Sequence, residues 1–285
     1  MTSPLPVMAG RPLPMTAGRW VALVIGTPLA LLVIGWTALT AVAFAGLGSS
    51  RVNLAIPIHG RTAAVSVDEG DISVAVGPAG ELRVHGTLRY SIARPHLSWQ
   101  RSRSAIAFHT HCQVPTGVCS SDYAVTVPPL ARSEVSTGSG NLTASGLAGT
   151  VTLSTDSGDI KATRISGRTT ISDSSGNIVL TSLAGAQALI MDDSGDITGH
   201  GVSSPVLTAQ DRSGNITVVF ARVPDRVQVS DDSGDITLVL PPGPATYRVS
   251  ASTSSGSASV SVPRSPASPR VITATDQSGN ITIAR

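Results

Sequence analysis

Residues 190–197 read Ile-Met-Asp-Asp-Ser-Gly-Asp-Ile, and the turn in this stretch, Ser-Gly-Asp-Ile, recurs with small changes through the second half of the chain. The motif Ser-Gly-Asp/Asn-Ile/Leu begins at Ser139, Ser157, Ser175, Ser194, Ser213, Ser233 and Ser278. Its glycines from Gly140 to Gly234 are 18 to 20 residues apart, and a degenerate copy at Gly256 precedes the last one at Gly279. A repeat this short is one coil of a solenoid rather than a domain.

Two apolar columns flank the motif glycines. The first, five residues before each glycine, reads Val135, Leu153, Ile171, Ile190, Ala209, Val229, Ala251 and Ala274. The second, two residues after it, reads Leu142, Ile160, Ile178, Ile197, Ile216, Ile236, Ala258 and Ile281. Polar residues alternate with these positions, and β-branched residues dominate, which favours strands with one buried face. The sequence therefore predicts an all-β protein, a parallel β-solenoid whose coils stack ~4.8 Å apart.

Composition limits the classes of function. The 285 residues carry a net charge of +2, with 41% apolar, 13% charged and 3% aromatic residues. Because no basic patch is interleaved with aromatic residues, we expect no nucleic-acid partner. The sequence has neither a GxSxG elbow nor a histidine tied by spacing to a nucleophile, so we predict no catalytic residues and no enzymatic activity.

The N-terminal segment has a different composition from the rest. No charged residue or histidine occurs from Trp20 to Ser50. At ~1.5 Å per residue, residues 20–47 are long enough to cross a hydrocarbon core of ~30 Å, so we predict one transmembrane helix there. Arg11 and Arg19 precede the span, which places residues 1–19 in the cytoplasm and the rest of this single-pass membrane protein outside it. A cleaved signal peptide ending near residues 43–45 is the alternative.

The two cysteines support the extracytoplasmic placement. Cys112 and Cys119 lie between two apparent strands, residues 104–111 and 123–127, at a spacing typical of a hairpin. A disulfide closing this turn is expected in an oxidising compartment. Two free thiols in a cytosolic domain are the alternative.

The remaining chain divides into three parts. We predict a linker at residues 48–61, an irregular β cap at residues 62–132 and the repeat solenoid at residues 133–285. The cap begins with an early coil at residues 63–76. The last coil, residues 271–283, has nothing after it to cover its strand edge. Unless the Pro-rich segment 263–269 folds across that edge, this predicts end-to-end self-association through open edges.

The cap and the first coils together resemble a known family. The Cys-containing segment is followed by Asp122-Tyr123-Ala124-Val125-Thr126-Val127-Pro128 and then by Thr137-Gly138-Ser139-Gly140-Asn141-Leu142 and further coils. This combination is similar to the bacterial putative-adhesin family of β-strand-repeat domains of unknown function, over about residues 63–285. The resemblance implies a membrane-anchored or secreted β-solenoid of the cell envelope, and it carries no catalytic residues over to this chain.

The residue after each motif glycine alternates between Asn and Asp. The series, called the turn ladder below, is Asn141, Asp159, Asn177, Asp196, Asn215, Asp235 and Asn280. Two carboxylates ~4.8 Å apart would repel by roughly 3 to 4 kcal/mol at an effective dielectric of 20, and placing them on alternate coils about halves that. Asn and Asp also tolerate left-handed backbone and bond their own turn. The ladder is therefore interpreted as structural.

A second acidic series lies three residues before the glycine. It reads Asp173, Asp192, Asp211 and Asp231 on consecutive coils, with Asp276 later and threonine at Thr137, Thr155 and Thr253. These carboxylates are candidate ligands for Ca²⁺, the one cofactor that the sequence raises. Alternatively, each caps its turn by accepting a backbone N–H, which threonine does more weakly. No other metal or cofactor site is expected.

Anchor, solenoid and resemblance together predict a cell-envelope scaffold or adhesin-like binding module. Its partner would be a cell-wall polymer or another envelope protein. An envelope-stress sensor or regulatory partner is the alternative from another class. A polysaccharide-active enzyme is a third hypothesis; Arg164 and Arg168 are available to it, but aromatic platforms for sugars are nearly absent after Trp99.

Overall fold

The computed structural model describes residues 29–30, 32–37, 48–57, 62–91, 96–101, 105–111, 119–129 and 132–285. Residues 29–30 and 32–37 are helical, and the other regular elements in these ranges are β-strands, so the all-β prediction is confirmed. The first seven strands are β1 (Gly48–Pro57), β2 (Thr62–Glu69), β3 (Asp71–Val76), β4 (Glu81–Tyr90), β5 (His96–Arg101), β6 (Ala105–His111) and β7 (Cys119–Val127).

Sixteen further strands follow, two for each copy of the repeat. They are β8 (Arg132–Ser139), β9 (Leu142–Ser145), β10 (Ala148–Ser157), β11 (Ile160–Thr163), β12 (Ser166–Asp173), β13 (Ile178–Thr181), β14 (Ala184–Met191), β15 (Ile197–Val202), β16 (Val206–Gln210), β17 (Ile216–Phe220), β18 (Arg226–Ser233), β19 (Ile236–Val239), β20 (Arg248–Ser255), β21 (Ala258–Val260), β22 (Val271–Ser278) and β23 (Ile281–Ala284).

Each coil contributes one strand to each of two sheets. Sheet A has twelve strands in the order β1-β4-β7-β3-β9-β11-β13-β15-β17-β19-β23-β21, and sheet B has eleven in the order β20-β22-β18-β16-β14-β12-β10-β8-β2-β6-β5. The Ser-Gly-Asp/Asn turn connects the sheet B strand to the sheet A strand of its coil. From β8 onward the strands within each sheet pair in parallel and place equivalent residues in register, as Leu153 and Ile171 are.

The core lies between the two sheets. Both apolar columns face inward, and their members are fully buried in all coils except the one formed by β20 and β21, where Ala251 is half-buried and Ala258 is exposed. A third inward column, Leu147, Ile165, Leu183 and Val202, closes the opposite side of the coil and is at most 1% exposed. Stacked aliphatic side chains therefore form one continuous core along the solenoid.

The N-terminal cap is built differently from the prediction. β6 belongs to sheet B and β7 to sheet A, so these two strands do not form the hairpin that the cysteine spacing predicted. Together they make a coil that stacks outside the coil of β2 and β3, in parallel. β4 and β1 then extend sheet A in antiparallel fashion, so residues 48–57, which were predicted to be part of a linker, form a strand instead. β5, which was also not predicted, extends sheet B.

The cysteine pairing stays a prediction. Cys112 lies outside the described residues, and Cys119 is described only as the first residue of β7, with no account of its side chain. The strands on either side of the cysteine segment, β6 and β7, belong to opposite sheets.

The C-terminal end also differs from the prediction. β22 lies between β18 and β20, and β23 lies between β19 and β21. The last coil in sequence is therefore an inner coil, and the coil of β20 and β21 covers it. The expectation that the edge of residues 271–283 is open is wrong; within the described residues, the outermost strands at this end are β20 and β21.

The predicted anchor at residues 20–47 lies mostly outside the described residues. Its described parts, residues 29–30 and 32–37, are helical, and Leu29, Leu32, Val33, Ile34 and Trp36 expose their side chains. No helix within the described residues has the length and apolar character that crossing a bilayer would take.

Candidate functional site

The most regular polar structure in the molecule is the edge formed by the Ser-Gly-Asp/Asn turns. Every motif glycine has a positive φ, from +125° at Gly140 to +157° at Gly279. A Cβ built on any of them would collide with the carbonyl oxygen of the glycine on the neighbouring coil, as Gly176 O blocks Gly195. The backbones therefore stack closely at this edge because the position is glycine.

The turn ladder joins adjacent coils. Oδ1 of each member accepts the backbone N–H of the ladder residue on the next coil, at 2.8–3.1 Å from Asp71 through Asn280. Each Asn also donates its Nδ2–H to the Asp before it, at 3.0 Å from Asn177 to Asp159 and 3.1 Å from Asn215 to Asp196. Two members were not in the predicted series: Asp71 begins the ladder, and Ser257 ends it by donating to Asn280 Oδ1.

This geometry corrects the explanation of the alternation. The side chains were expected to bond their own turns, but their hydrogen bonds go to the next coil. An Asn supplies the side-chain N–H that a neighbouring carboxylate accepts, and an Asp cannot. Alternation therefore gives each amide an acceptor and separates the charges by two coils.

The second acidic series forms an unbroken stack, called the aspartate column below. Because the last two coils exchange places, its members lie on five adjacent coils: Asp173, Asp192, Asp211, Asp231 and Asp276. All five are at most 5% exposed. The sequence placed Asp276 apart from the other four, and only the strand order brings it next to Asp231.

The two oxygens of each column residue have different surroundings. Oδ1 accepts the backbone N–H of the serine two residues later, at 3.0–3.2 Å. Oδ2 is buried on all five residues and has no hydrogen-bond partner in the described part of the chain. Five buried carboxyl oxygens without a donor are costly if they are charged.

Burial changes the titration of the column. Loss of hydration raises the pKa of Asp173 and of Asp211 from 3.8 to about 6, despite the opposing backbone hydrogen bonds from Ser175 and Ser213. Burial raises the pKa of Asp192 and of Asp231 as well. The charges of neighbouring column members act in the same direction, since each disfavours a further negative charge.

The calcium hypothesis finds no ligand cluster in this geometry. Among the described residues, no group of three or more His, Cys, Asp or Glu side chains is arranged to share a metal ion. Each column residue offers one unpartnered oxygen per coil, whereas Ca²⁺ takes six to eight oxygens. Calcium binding by Asp173, Asp192, Asp211 and Asp231 stays an untested prediction.

A concave site lies elsewhere, on the outer face of sheet A. A groove of about 450 Å³ opens where the antiparallel cap strands meet the parallel coils. Its lining includes Asp71, Asp122, His85, Thr87 and Thr143. The sequence does not indicate this site because β4, which supplies His85 and Thr87, reaches β7 only through the antiparallel extension of the sheet. No local motif in the sequence indicates that pairing.

The groove borders a polar surface of sheet A. One outward row of sheet A aligns, coil by coil, Ser73, Thr143, Lys161, Val179, Thr198, Thr217, Thr237, Thr282 and Ser259. Hydroxyl groups dominate this row, and parallel pairing places them at the regular ~4.8 Å spacing of the strands.

Comparison with known proteins agrees with the predicted family. The family model described as Toastrack DUF4097 matches residues 120–284, more than half of the chain. This confirms the resemblance to the adhesin-like family of unknown function. No curated protein matches the sequence.

Several solved structures are similar. A putative adhesin from Bacteroides fragilis NCTC 9343 has 11% identity and a TM-score of 0.46, covering 82% of this chain and 96% of its own. A putative adhesin from Parabacteroides distasonis ATCC 8503 has 11% identity and a TM-score of 0.43, covering 82% and 97%. A putative cell adhesion protein from Clostridium sporogenes ATCC 15579 has 8% identity and a TM-score of 0.27, covering 84% and 99%.

Proposed function

This chain belongs to the Toastrack DUF4097 family, and on that premise we propose that it is a non-enzymatic, membrane-anchored binding module or scaffold of the cell envelope. Residues 20–47 would anchor it, and the solenoid would lie outside the membrane, where a disulfide between Cys112 and Cys119 would be stable. Its ligand would be a cell-wall polymer or an envelope protein.

The observation that carries the proposal is the groove on sheet A and its continuity with the hydroxyl row. An extended partner could enter the groove beside Asp122 and His85 and continue across the stacked threonines. Concave sites with a few converging polar groups are the usual places for recognition. Regularly spaced hydroxyls on a rigid sheet suit a partner that is itself extended and repetitive.

The test is photo-crosslinking of the full chain in its native membrane, followed by identification of the crosslinked partner. A groove variant carries Thr87→Arg and Thr143→Arg, two bulky cations on the outer face of sheet A. A matched control carries Thr152→Arg and Thr170→Arg on the outer face of sheet B. We expect the groove variant to lose at least about ten-fold in crosslinked partner and the control to keep it, since a well-placed contact contributes about 1 to 3 kcal/mol.

Three results would contradict this assignment. Equal yields of crosslinked partner from the two variants would show that the partner does not bind in the groove. Release of reducing sugar from a polysaccharide panel would revive the enzyme hypothesis. A membrane signalling protein as the sole partner, with altered expression of this chain under wall-active antibiotics, would favour the regulatory alternative.

A further inference from the structure

Threonine and aspartate share one position in the coils, and the threonines show what that position does. Thr137 donates its Oγ1–H to Gly70 O at 3.1 Å, Thr155 to Gly140 O at 3.4 Å and Thr253 to Gly279 O at 3.0 Å. In each case the acceptor is the motif glycine of the neighbouring coil. The hydroxyl thus connects one coil to the next at the turn edge.

The aspartate Oδ2 atoms occupy the equivalent place. A Cβ built on Gly256 would meet Gly279 O and lie 3.4 Å from Thr253 Oγ1. A Cβ built on Gly176 would meet Gly158 O and lie 2.9 Å from Asp173 Oδ2, and one on Gly214 would meet Gly195 O and lie 3.0 Å from Asp211 Oδ2. The buried Oδ2 and the neighbouring glycine carbonyl therefore lie on the same side of each turn.

Two acceptor oxygens that both lie within about 3 Å of one point in the turn are stabilised by a donor between them. A carboxylate has none, and a carboxylic acid has its O–H. We propose that in mild acid Asp173, Asp192, Asp211 and Asp231 are carboxylic acids in the folded protein, each donating Oδ2–H to the glycine carbonyl of the neighbouring coil, so that the contacts between coils at the turn edge depend on pH. Ionisation would release the proton to solvent and leave the carboxylate Oδ2 and the glycine carbonyl oxygen without a donor between them.

The other charged groups around the column disfavour its ionisation. Asp159 acts on Asp173, Asp193 and Asp196 act on Asp192, and Asp232 acts on Asp231. Column neighbours act on one another: Asp192 on Asp173 and Asp211, Asp231 on Asp211, and Asp276 on Asp231. The nearby cation Arg212 is engaged with Asp193, at 2.9 Å, on the exposed side of the turn.

The direction of the pH effect follows from linkage. Between pH 3.8 and about 6, Asp173 and Asp211 in the folded protein keep protons that the unfolded chain has released. The folded state binds more protons in that window, so the free energy of unfolding falls as pH rises through it. The contribution is fully present below pH 3.8 and is lost above about pH 6. The solenoid should therefore be more stable against unfolding in mild acid than at neutral pH.

The test compares thermal unfolding of the full chain in detergent at pH 5 and pH 8. The variant Asp192→Asn with Asp211→Asn keeps an acceptor for the serine N–H and supplies an amide donor at every pH. We expect the wild-type Tm to be roughly 5 °C higher at pH 5 than at pH 8. In the variant we expect a Tm above wild type at pH 8 and a difference between the two pH values that is at least halved.

Controls separate this effect from general titration and from cation binding. Glu134→Gln with Asp225→Asn changes two exposed carboxylates that do not act on the column and should leave the wild-type pH dependence unaltered. Asp192→Thr with Asp211→Thr, which introduces the residue found at the ends of the column, should flatten the pH dependence as the asparagines do. An asparagine variant that is less stable than wild type at pH 8, or a wild-type Tm that calcium raises and EDTA lowers, would overturn the proposal.

Discussion

At the scale of single residues, the motif glycine is required for two separable reasons. Gly195 has a φ of +143°, and its missing Cβ leaves room for the carbonyl oxygen of Gly176. Gly243 has nearly the same φ, +146°, but open space within 4 Å of the Cβ position. Gly195→Ala should therefore lower the free energy of unfolding by about 3 kcal/mol or more, because it adds displacement of the neighbouring coil to backbone strain of about 1 to 3 kcal/mol.

Gly243→Ala is the matched control, since it carries the strain alone and should cost about 1 to 3 kcal/mol, less than Gly195→Ala. Denaturant unfolding of both variants measures the difference. Equal losses would mean that the close approach of the two coils contributes nothing.

At the scale of the repeated element, the turn ladder depends on its alternation. Asn177→Asp would place three carboxylates on adjacent coils and remove the donor to Asp159. Because these side chains are exposed, we expect a loss of about 1 kcal/mol that shrinks in high salt. Asp196→Asn keeps the acceptor for the Asn215 N–H and removes a charge, so it should cost less than about 0.5 kcal/mol. Urea unfolding at low and high salt checks both, and a salt-independent loss in Asn177→Asp would contradict the charge argument.

At the scale of the whole molecule, the order of coils in space differs from the order in sequence at both ends. β22 and β23 have a neighbour on each side, whereas β20 and β21 have one. Native-state hydrogen exchange should therefore protect the amides of residues 271–284 as well as those of β18 and β19. Residues 248–260 should exchange at least about ten-fold faster, although they come earlier in the chain. Stronger protection in β20 than in β22 would contradict the exchanged order. Any end-to-end self-association at this end would pair β20 or β21 with a strand of another copy of the protein.

Much of the fold could be predicted because the repeat carries its own register. The apolar columns at Leu153 and Ile160 are local in sequence and recur in each coil, so their burial follows from the periodicity alone. The alternation of the ladder even held a signal for the exchanged coils. Asp235 is followed in sequence by Ser257 and then by Asn280, and contact between Asp235 and Asn280 restores the Asn/Asp order.

The sequence by itself determined the solenoid, the turn at each coil and the residues that face inward, since these depend on short-range periodicity. Only the tertiary structure decided which coils are neighbours, and hence that Asp276 joins the aspartate column and that β6 and β7 lie in different sheets. It also decided which oxygens are buried without a donor. Those facts depend on strand pairing between residues distant in sequence. The backbone hydrogen-bonding groups are the same in every coil, so they do not determine which two strands pair.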